Sequence, residues 1–391
     1  TKNFEKAIEI NPNYAEAYNN LGTTLKNSGK IEKAKESYEK ALIINPELAE
    51  AHYNIAAVLK DIGAIEDSIA SIEQTLKIRP NFAEAHNKKA ILLKEKGDYD
   101  SAIESCKLAI EINPNFPDPH INLGVSLYEK GDLKSAIKSY EKAIAIQPEN
   151  AETHYNIGNA LKNSGDLQAA LDKYKRAVKI NPNFSEVYNI MASTLDETED
   201  FKGAIKIYEK VIEMHPRNFE AYYNLGVVLE KNGDSRRAIR KFEKAIEINP
   251  DYAEAYINLG VVMKNNNNPQ AAVHNYRKAL QINPENEEAL YYIAHALKGT
   301  QFIEPDRGIQ KVITSILDRK TYVRPRDIVR AAISLLKFEP HIVEILKKKS
   351  KDGLERSLVN QILSLSETPL IIKLMKICPI PDLEFETVFT N

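Results

Sequence analysis

The chain has 391 residues, with 53 Lys plus Arg against 55 Asp plus Glu, a formal net charge of -2. This balance argues against a protein whose main task is to grip nucleic acid, because neutralising phosphates needs a surplus of cations. No apolar run approaches the roughly 20 residues of a membrane helix, and the two cysteines, Cys106 and Cys378, are isolated from each other and from any Cys/His cluster, which argues against a disulfide framework or structural zinc.

The beginning of the chain, at Thr1, shows no charged-then-apolar leader. We therefore expect neither a signal peptide nor a transit sequence, and we expect a cytoplasmic segment cut from a longer protein. Nucleic acid and membrane are not expected among its partners.

A 34-residue period organises most of the chain. Nine prolines recur at this spacing, most of them after asparagine: Pro12, Pro46, Pro80, Pro114, Pro148, Pro182, Pro216, Pro250 and Pro284. Chance does not place nine prolines in one register. The sequence predicts a half repeat, eight full repeats over residues 15–286 and a degenerate ninth, together a repeat domain over residues 1–304.

Each repeat is predicted to be a pair of amphipathic helices, which we call the first and the second helix. In the first full repeat the apolar stripes are Tyr18, Leu21, Gly22 and Leu25 on the first helix, and Ala34, Tyr38 and Ala41 on the second. These spacings place each set on one helix face. Pro46 ends the second helix because proline cannot continue it.

A glycine recurs between the two helices, where a left-handed residue closes a helix at least cost. The series is Gly29, Gly63, Gly97, Gly131, Gly165 and Gly233. Asn267 takes this position in the eighth repeat, which a left-handed conformation permits. Glu199 takes it in the sixth, where we expect a distorted turn.

Small residues recur on the first helix, where we expect them to let a neighbouring helix approach closely. They are Gly22, Gly124, Gly158, Gly226 and Gly260, with Ala56, Ala90 and Ala192 in other repeats. A lone hairpin could not bury its apolar stripe, so the repeats must stack into a solenoid.

The pattern Tyr-x-x-Leu-Gly-x-x-Leu, followed by Ala, an aromatic residue, Ala and Pro, resembles the tetratricopeptide repeat (TPR) family over about residues 1–298. The resemblance implies an all-α fold, a right-handed superhelical solenoid of helix-turn-helix repeats. It also implies that peptide or protein segments bind on the concave face.

Asparagines form a second stripe on the first helices, again 34 residues apart. They are Asn20, Asn54, Asn122, Asn156, Asn224 and Asn258, and Lys88, Ile190 and Tyr292 interrupt the series. An amide offers donors and an acceptor, so a row along an inner groove could pair with any peptide backbone. Alternatively, duplicated repeats copy every residue and each Asn bonds a neighbouring turn. The row resembles the TPR region of O-linked N-acetylglucosamine transferases, whose catalytic domain is not in this chain.

Other recurring polar residues favour structural roles. Acids near the start of each first helix complement the helix dipole: Glu16, Glu50, Glu84, Asp118, Glu152, Glu186, Glu220, Glu254 and Glu288. A clamp for chaperone carboxylate tails needs Lys and Arg on the inner surface, and only Lys88 suggests one, so such a clamp is disfavoured.

His52, His86, His120 and His154 occupy the same position in four successive repeats. Successive repeats are too far apart for these histidines to share a zinc ion, so we predict that they are packing residues. We likewise predict that Cys106 is a small core residue.

Catalytic signatures such as GxGxxG, GxxxxGK[ST], HExxH and GxSxG are missing. We predict no catalytic residue, no cofactor and no metal. The chain is therefore expected to be a non-catalytic scaffold that holds extended protein or peptide segments.

The 34-residue register fails after Leu297. Helices are predicted at residues 306–318, 325–337, 340–349, 353–366 and 369–377, with Pro325 at a first helical position. Residues 305–391 are expected to cap the solenoid or to connect it to a further domain, truncated at its C-terminal end. Arg324 to Asp327 and Cys378 to Leu383 resemble the connector of bacterial TPR proteins with a downstream methyltransferase.

Two alternatives to the simple scaffold follow from these features. The chain could be the substrate-recognising region of a larger bacterial enzyme, either a SAM-dependent methyltransferase or an O-GlcNAc-type glycosyltransferase. It could instead be a self-assembling repeat scaffold, with ends or grooves pairing into oligomers.

Overall fold

The structure, a computed structural model, describes residues 1–298, 300–319, 325–339 and 370. Every regular element in these residues is an α-helix, as predicted. Two compact units divide the chain, Thr1–Thr194 and Leu195–Asn391. The predicted boundary between residues 304 and 305 stays a prediction.

Helices alternate along the chain in the predicted register. The half repeat contributes α1 (Lys2–Ile10). The first helices are α2 (Ala15–Asn27), α4 (Ala49–Asp61), α6 (Ala83–Glu95), α8 (Pro117–Glu129), α10 (Ala151–Asn163), α12 (Ser185–Glu197), α14 (Phe219–Lys231), α16 (Ala253–Asn265) and α18 (Glu287–Ala296). The second helices are α3 (Ile31–Ile44), α5 (Ile65–Ile78), α7 (Tyr99–Ile112), α9 (Leu133–Ile146), α11 (Leu167–Ile180), α13 (Phe201–Met214), α15 (Ser235–Ile248) and α17 (Pro269–Ile282).

The turn between the two helices of each repeat is the same throughout. The recurring glycines have φ between 72° and 89°, and Asn267 takes the same region with φ 58°. Glu199 has φ 59°, so the expectation of a distorted turn there was wrong. Its amide donates to the Asp196 carbonyl at 3.0 Å, as Gly131 does to Tyr128 at 2.8 Å. The glutamate accepts the left-handed conformation instead of changing the turn.

The small residues of the first helices contact the second helix of their own repeat. An added Cβ at Gly124 would lie 2.5 Å from Cε1 of Tyr140. In the second repeat the equivalent small residue is Ala56, and the aromatic position is occupied by Ile72, which is fully buried in the same cluster. The contact between the small residue of the first helix and the large side chain of the second helix therefore sets the separation of the two helices within one hairpin.

Four successive first helices are tied to the loop before them by histidine. The Nε2 atoms of His52, His86, His120 and His154 lie 2.9, 2.9, 3.3 and 3.0 Å from the carbonyl oxygens of Pro46, Pro80, Pro114 and Pro148 respectively. His120 and His154 are buried, as the predicted packing role requires, whereas His52 and His86 are partly exposed. Cys106 is likewise confirmed as a core residue, because its side chain is fully buried.

The end of the described chain departs from the hairpin spacing. After α18, the next helices are α19 (Arg307–Arg319) and α20 (Pro325–Leu336), within one residue of the predicted bounds, and Pro325 begins α20 as expected. Ile313 and Ile328 join one apolar cluster with Ile293 of α18. Of the helices predicted beyond α20, only residue 370 lies inside the described residues, where it is helical.

Candidate peptide-binding surface

The predicted asparagines, which we call the amide row, lie near the middle of the first helices. Asn20, Asn54, Asn122 and Asn156 belong to the first unit, and Asn224 and Asn258 belong to the second. Asn20 is exposed and the other five are partly exposed. None of the six side chains is buried, so each can be reached from solvent.

Two amides of the row bridge consecutive first helices in the first unit. Asn54 Nδ2 donates to Asn19 Oδ1 at 3.0 Å, and Asn122 Nδ2 donates to Asn87 Oδ1 at 2.9 Å. Both acceptors stand one position before the row on the preceding first helix. The row thus follows the seam where consecutive first helices meet.

Asn258 donates both to the preceding first helix and to its own helix. Its Nδ2 donates to Tyr223 Oη on the preceding first helix at 2.8 Å and to the Glu254 carbonyl of its own helix at 3.2 Å. The second bond is the contact with a neighbouring turn that the structural alternative expected. In this repeat the amide donors are largely occupied.

The remaining three amides are unoccupied. Asn20, Asn156 and Asn224 make no side-chain hydrogen bond with the described residues of their own units. Each therefore presents two donors and an acceptor. The row contains two kinds of member, those that join helices and those that do not.

Lys88 interrupts the row and forms a different contact with the helix before it. Its Nζ lies 5.1 Å from the ring centroid of Tyr53, a cation–π distance. Burial lowers the pKa of the Lys88 ammonium, and the nearby charges of Lys26 and Lys60 lower it further. This position still joins two first helices, through a ring instead of an amide.

Sequence reasoning missed the residues that stand one position before the row. Asn19 and Asn87 are two periods apart, and Tyr53, Tyr155 and Tyr223 recur at the same repeat position. This periodicity was the available signal. The tyrosines also contact aromatic residues at the repeat ends, with centroid distances of 5.1 Å for Tyr53 and Phe82, 5.4 Å for Tyr155 and Phe184, and 5.0 Å for Tyr223 and Tyr252.

Charged pairs form a parallel seam near the ends of the first helices. Lys60 Nζ lies 2.6 Å from Glu95 Oε1, and Lys26 Nζ lies 3.6 Å from Asp61 Oδ2. In these two pairs the lysine is on the earlier first helix and the acid on the later one. The second unit has the opposite order, because Lys231 Nζ of α14 lies 2.6 Å from Asp196 Oδ2 of α12. Exposed pairs of this kind contribute about 0–1 kcal/mol each, so they guide the stacking of repeats more than they stabilise it.

The predicted acids at the helix starts are confirmed in the first turns of their helices, where they complement the dipole. Some also contact neighbours. Glu50 Oε1 is 2.6 Å from Arg79 Nη2, and Tyr155 Oη donates to Glu186 Oε1 at 2.6 Å. Glu50 and Glu186 are therefore engaged with the scaffold.

The described residues also bear on metal sites and on membrane spans. No group of three or more His, Cys, Asp or Glu side chains there is arranged to hold a metal ion. Within the same residues, no helix combines the length and apolar character required to cross a bilayer.

Paired helices in a constant 34-residue register, with second helices packing against the first helix of the next repeat, define a tandem-repeat protein of the helical-hairpin class. Family models described as TPR repeat match residues 23–63, 92–131, 126–165 and 236–267. Models described as tetratricopeptide repeat match residues 3–36, 49–82, 151–184, 185–218, 207–240 and 253–286. The chain belongs to the tetratricopeptide repeat family.

Solved structures resemble the chain over part of its length. The C-terminal part of a TPR protein from Cytophaga hutchinsonii has 18% identity and a TM-score of 0.56, covering 62% of this chain and 99% of that one. YrrB, described as a TPR protein with an unusual peptide-binding site, has 26% identity, a TM-score of 0.43 and coverages of 48% and 97%. MamA from Desulfovibrio magneticus RS-1 has 20% identity, a TM-score of 0.41 and coverages of 44% and 97%. No curated protein sequence matched. The Cytophaga likeness supports the fold.

Proposed function

We propose that the chain is a non-catalytic scaffold that holds extended protein or peptide segments through the amide row. The observation that carries the proposal is a series of solvent-accessible amides at one register of six of the nine first helices, three of which make no side-chain hydrogen bond with the described residues of their units. A main chain presents N–H and C=O groups whatever its sequence, and an amide side chain can pair with either.

The repeat spacing suits an extended ligand. Neighbouring helices pack about 8–10 Å apart, and an extended chain advances about 3.3 Å per residue. Members of the row on neighbouring first helices, such as Asn20 and Asn54, are therefore expected to meet every third residue of a bound segment. This match requires no particular side chain, so the row would supply affinity and its surroundings would supply selectivity.

The occupied amides can still contribute. Asn54 uses one donor for Asn19, which leaves its second N–H and its carbonyl oxygen, and an amide oxygen has two lone pairs. Joining first helices and binding a peptide are therefore compatible. Asn156 and Asn224 do not join helices, yet asparagine is a weaker helix former than alanine by about 0.7 kcal/mol. Binding supplies a reason for retaining them.

Because the Asn156 and Asn224 side chains make no hydrogen bond with the described residues of their units, their replacement separates binding from stability. A twelve-residue peptide would be selected for binding to the full chain from a random library, and its affinity measured for Asn156→Ala plus Asn224→Ala. We expect a loss of about 1 kcal/mol per bond, or fivefold to tenfold per site, with unchanged helicity by circular dichroism.

The matched control removes two amides from exposed second-helix positions, Gln168→Ala plus Gln281→Ala. This variant should bind the selected peptide with the affinity of the original chain. Equal affinities for the original chain and the Asn156/Asn224 variant would remove the amide row from the functional account. A library that yields no binder would contradict the proposal as a whole.

The two alternatives from the sequence remain separate predictions. A coding sequence that continues beyond Asn391 into a cofactor-binding domain would favour the substrate-recognising region of an enzyme, and a stop codon there would exclude it. Light scattering over a range of concentrations tests self-assembly, which a constant monomer mass would contradict.

A further inference from the structure

Two buried histidines hold the starts of α8 and α10 through one ring nitrogen only. His120 Nε2 lies 3.3 Å from the Pro114 carbonyl oxygen, and His154 Nε2 lies 3.0 Å from that of Pro148. Because a carbonyl oxygen can only accept, each Nε2 carries the proton and each Nδ1 keeps a lone pair. The rings are 4% and 7% exposed, and neither Nδ1 has a hydrogen-bond partner among the residues that the structure describes. Both sites are therefore built for the neutral ring.

The surroundings of His120 oppose a second proton. Protonation would place an N–H at Nδ1 with no acceptor, and a buried charged donor without a partner is costly. Burial lowers the pKa of the His120 imidazole, the bond to the Pro114 carbonyl offsets part of this, and the nearby charge of Lys142 lowers the pKa further. Lys142 lies on α9, so the second helix of the same repeat adds repulsion to the loss of hydration.

His154 stands among similar charges. Burial lowers the pKa of its imidazole, the bond to the Pro148 carbonyl offsets part of this, and the charges of Lys173 and Arg176 on α11 lower the pKa further. Glu149, in the loop before α10, acts in the opposite direction. Its carboxylate is bonded to Arg176, so the two charges largely offset each other and Lys173 leaves the balance against protonation.

We propose that the starts of α8 and α10 form an acid-sensitive hinge, which opens when His120 and His154 take up a second proton. Opening would expose each ring to water and release the loops at Pro114 and Pro148. The open state takes up protons with the ordinary histidine pKa of about 6.5, whereas the closed state takes them up only at lower pH. The closed state is therefore fully favoured above about pH 7, and it loses stability as the pH falls below about 6.5.

The other repeats lack one of the features that the hinge requires. His52 and His86 make the same bond to a proline carbonyl, but their rings are partly exposed, so water can solvate an added proton. In four further repeats the position holds a tyrosine, which gains no charge in mild acid: Tyr18, Tyr188, Tyr222 and Tyr256. The hinge is thus confined to two adjacent repeats of the first unit.

The hinge lies on the helices that carry part of the amide row. Asn122 and Asn156 follow His120 and His154 by two residues, and Asn122 Nδ2 joins α8 to Asn87 of α6. Opening would therefore disturb the seam between these first helices. The inference does not depend on the proposed function, because its test requires no bound peptide.

Hydrogen exchange of the full chain, measured by mass spectrometry on peptic fragments that cover α8 and α10, tests the hinge. Protection factors at pH 7.5 and pH 5.5 would be compared after correction for the intrinsic pH dependence of exchange. We expect the protection of both helices to fall several-fold at pH 5.5. The limit is about tenfold for each histidine, because the open state gains about that factor one pH unit below a pKa of 6.5. Unchanged protection would overturn the proposal.

Three variants assign the effect to these rings. His120→Tyr plus His154→Tyr should remove the loss of protection, and the position accepts a buried tyrosine because Tyr188 is 2% exposed. His120→Gln plus His154→Gln should do the same, since an amide can donate to the carbonyls without taking up a proton. His52→Tyr plus His86→Tyr is the matched control and should show the loss of the original chain. A loss that persists in the tyrosine and glutamine variants, or that the control removes equally, would assign it to other groups and overturn the proposal.

Discussion

The contact between Gly124 of α8 and Tyr140 of α9 makes a quantitative prediction about hairpin packing. In Gly124→Ala, the new Cβ would lie 2.5 Å from Cε1, 2.6 Å from Cδ1 and 2.9 Å from Cζ of the ring. Carbon atoms in contact prefer about 3.5–4.0 Å, so the ring must move by roughly 1 Å. Tyr140 is 2% exposed, and the adjoining Ala136 and Ile157 are fully buried, which leaves little room for that movement.

Two opposing terms determine the size of the effect. Overpacking a core costs about 1–3 kcal/mol, and three close ring carbons place this site in the upper half of that range. Alanine inside a helix is favoured over glycine by about 1 kcal/mol. We expect a net loss of about 1–2 kcal/mol for Gly124→Ala, although the substitution improves helix propensity.

A second substitution should relieve the conflict. The second repeat carries Ala56 with Ile72 at these positions, so Gly124→Ala plus Tyr140→Ile copies a combination that the chain already contains. Tyr140→Ile alone should cost about 2 kcal/mol through the cavity it leaves. In the double variant the methyl group occupies part of that space, and we expect a favourable coupling of about 1–2 kcal/mol.

The assay is native-state hydrogen exchange of the α8 and α9 amides, supported by urea unfolding followed by circular dichroism. Local free energies of unfolding are preferable to one global value, because the unfolding of a repeat array need not be two-state. Equal or greater protection of both helices in Gly124→Ala, or purely additive losses in the double variant, would refute the argument that ring and small residue set the helix separation.

Three further predictions concern the turn, the caps and the core. Glu199→Gly should increase the free energy of unfolding by about 1 kcal/mol and so raise the melting temperature, because a non-glycine residue at φ 59° is strained. An unchanged melting temperature would contradict this. Hydrogen bonds from Ser101 lower the pKa of Asp98, which caps α7. Asp98→Ala should therefore destabilise the chain at pH 7, and the difference should shrink as the pH falls below about 4 through the lowered folded-state pKa; thermal melts at pH 7 and pH 3 that show the same difference would refute it. Burial raises the pKa of the Cys106 thiol to about 12, so in a Cys378→Ser variant iodoacetamide at pH 8 should alkylate Cys106 only after denaturant is added, as measured by mass spectrometry.

The sequence predicted the fold in detail because the repeat supplies many copies of each signal. Period, helix alternation and turn position were all confirmed, down to the left-handed Asn267. Glu199 shows the limit of this reasoning. Residue preference suggested a changed turn, but packing of the flanking helices outweighs a local strain of about 1–3 kcal/mol.

Contacts across helices were less accessible from the sequence. A helical pattern shows which residues share a face, and it does not show which side chain on another helix meets them. The small size of Gly124 was recognised, but its partner Tyr140 was not. In the same way, the amide row was recognised, whereas Asn19 and Asn87, which accept bonds from it, were not. Pairing depends on the distance between helices, which a single sequence does not state.

The glycine–aromatic contact has a consequence for how such chains diversify. Gly124 and its partner Tyr140 both lie within one 34-residue period, as Ala56 and Ile72 do in another. Recombination at the loops between periods would exchange both partners together and preserve the fit. A crossover inside a hairpin would place alanine beneath a tyrosine ring or glycine beneath isoleucine, giving a clash or a void. Gene duplication and shuffling should therefore be tolerated at whole-period boundaries and penalised elsewhere.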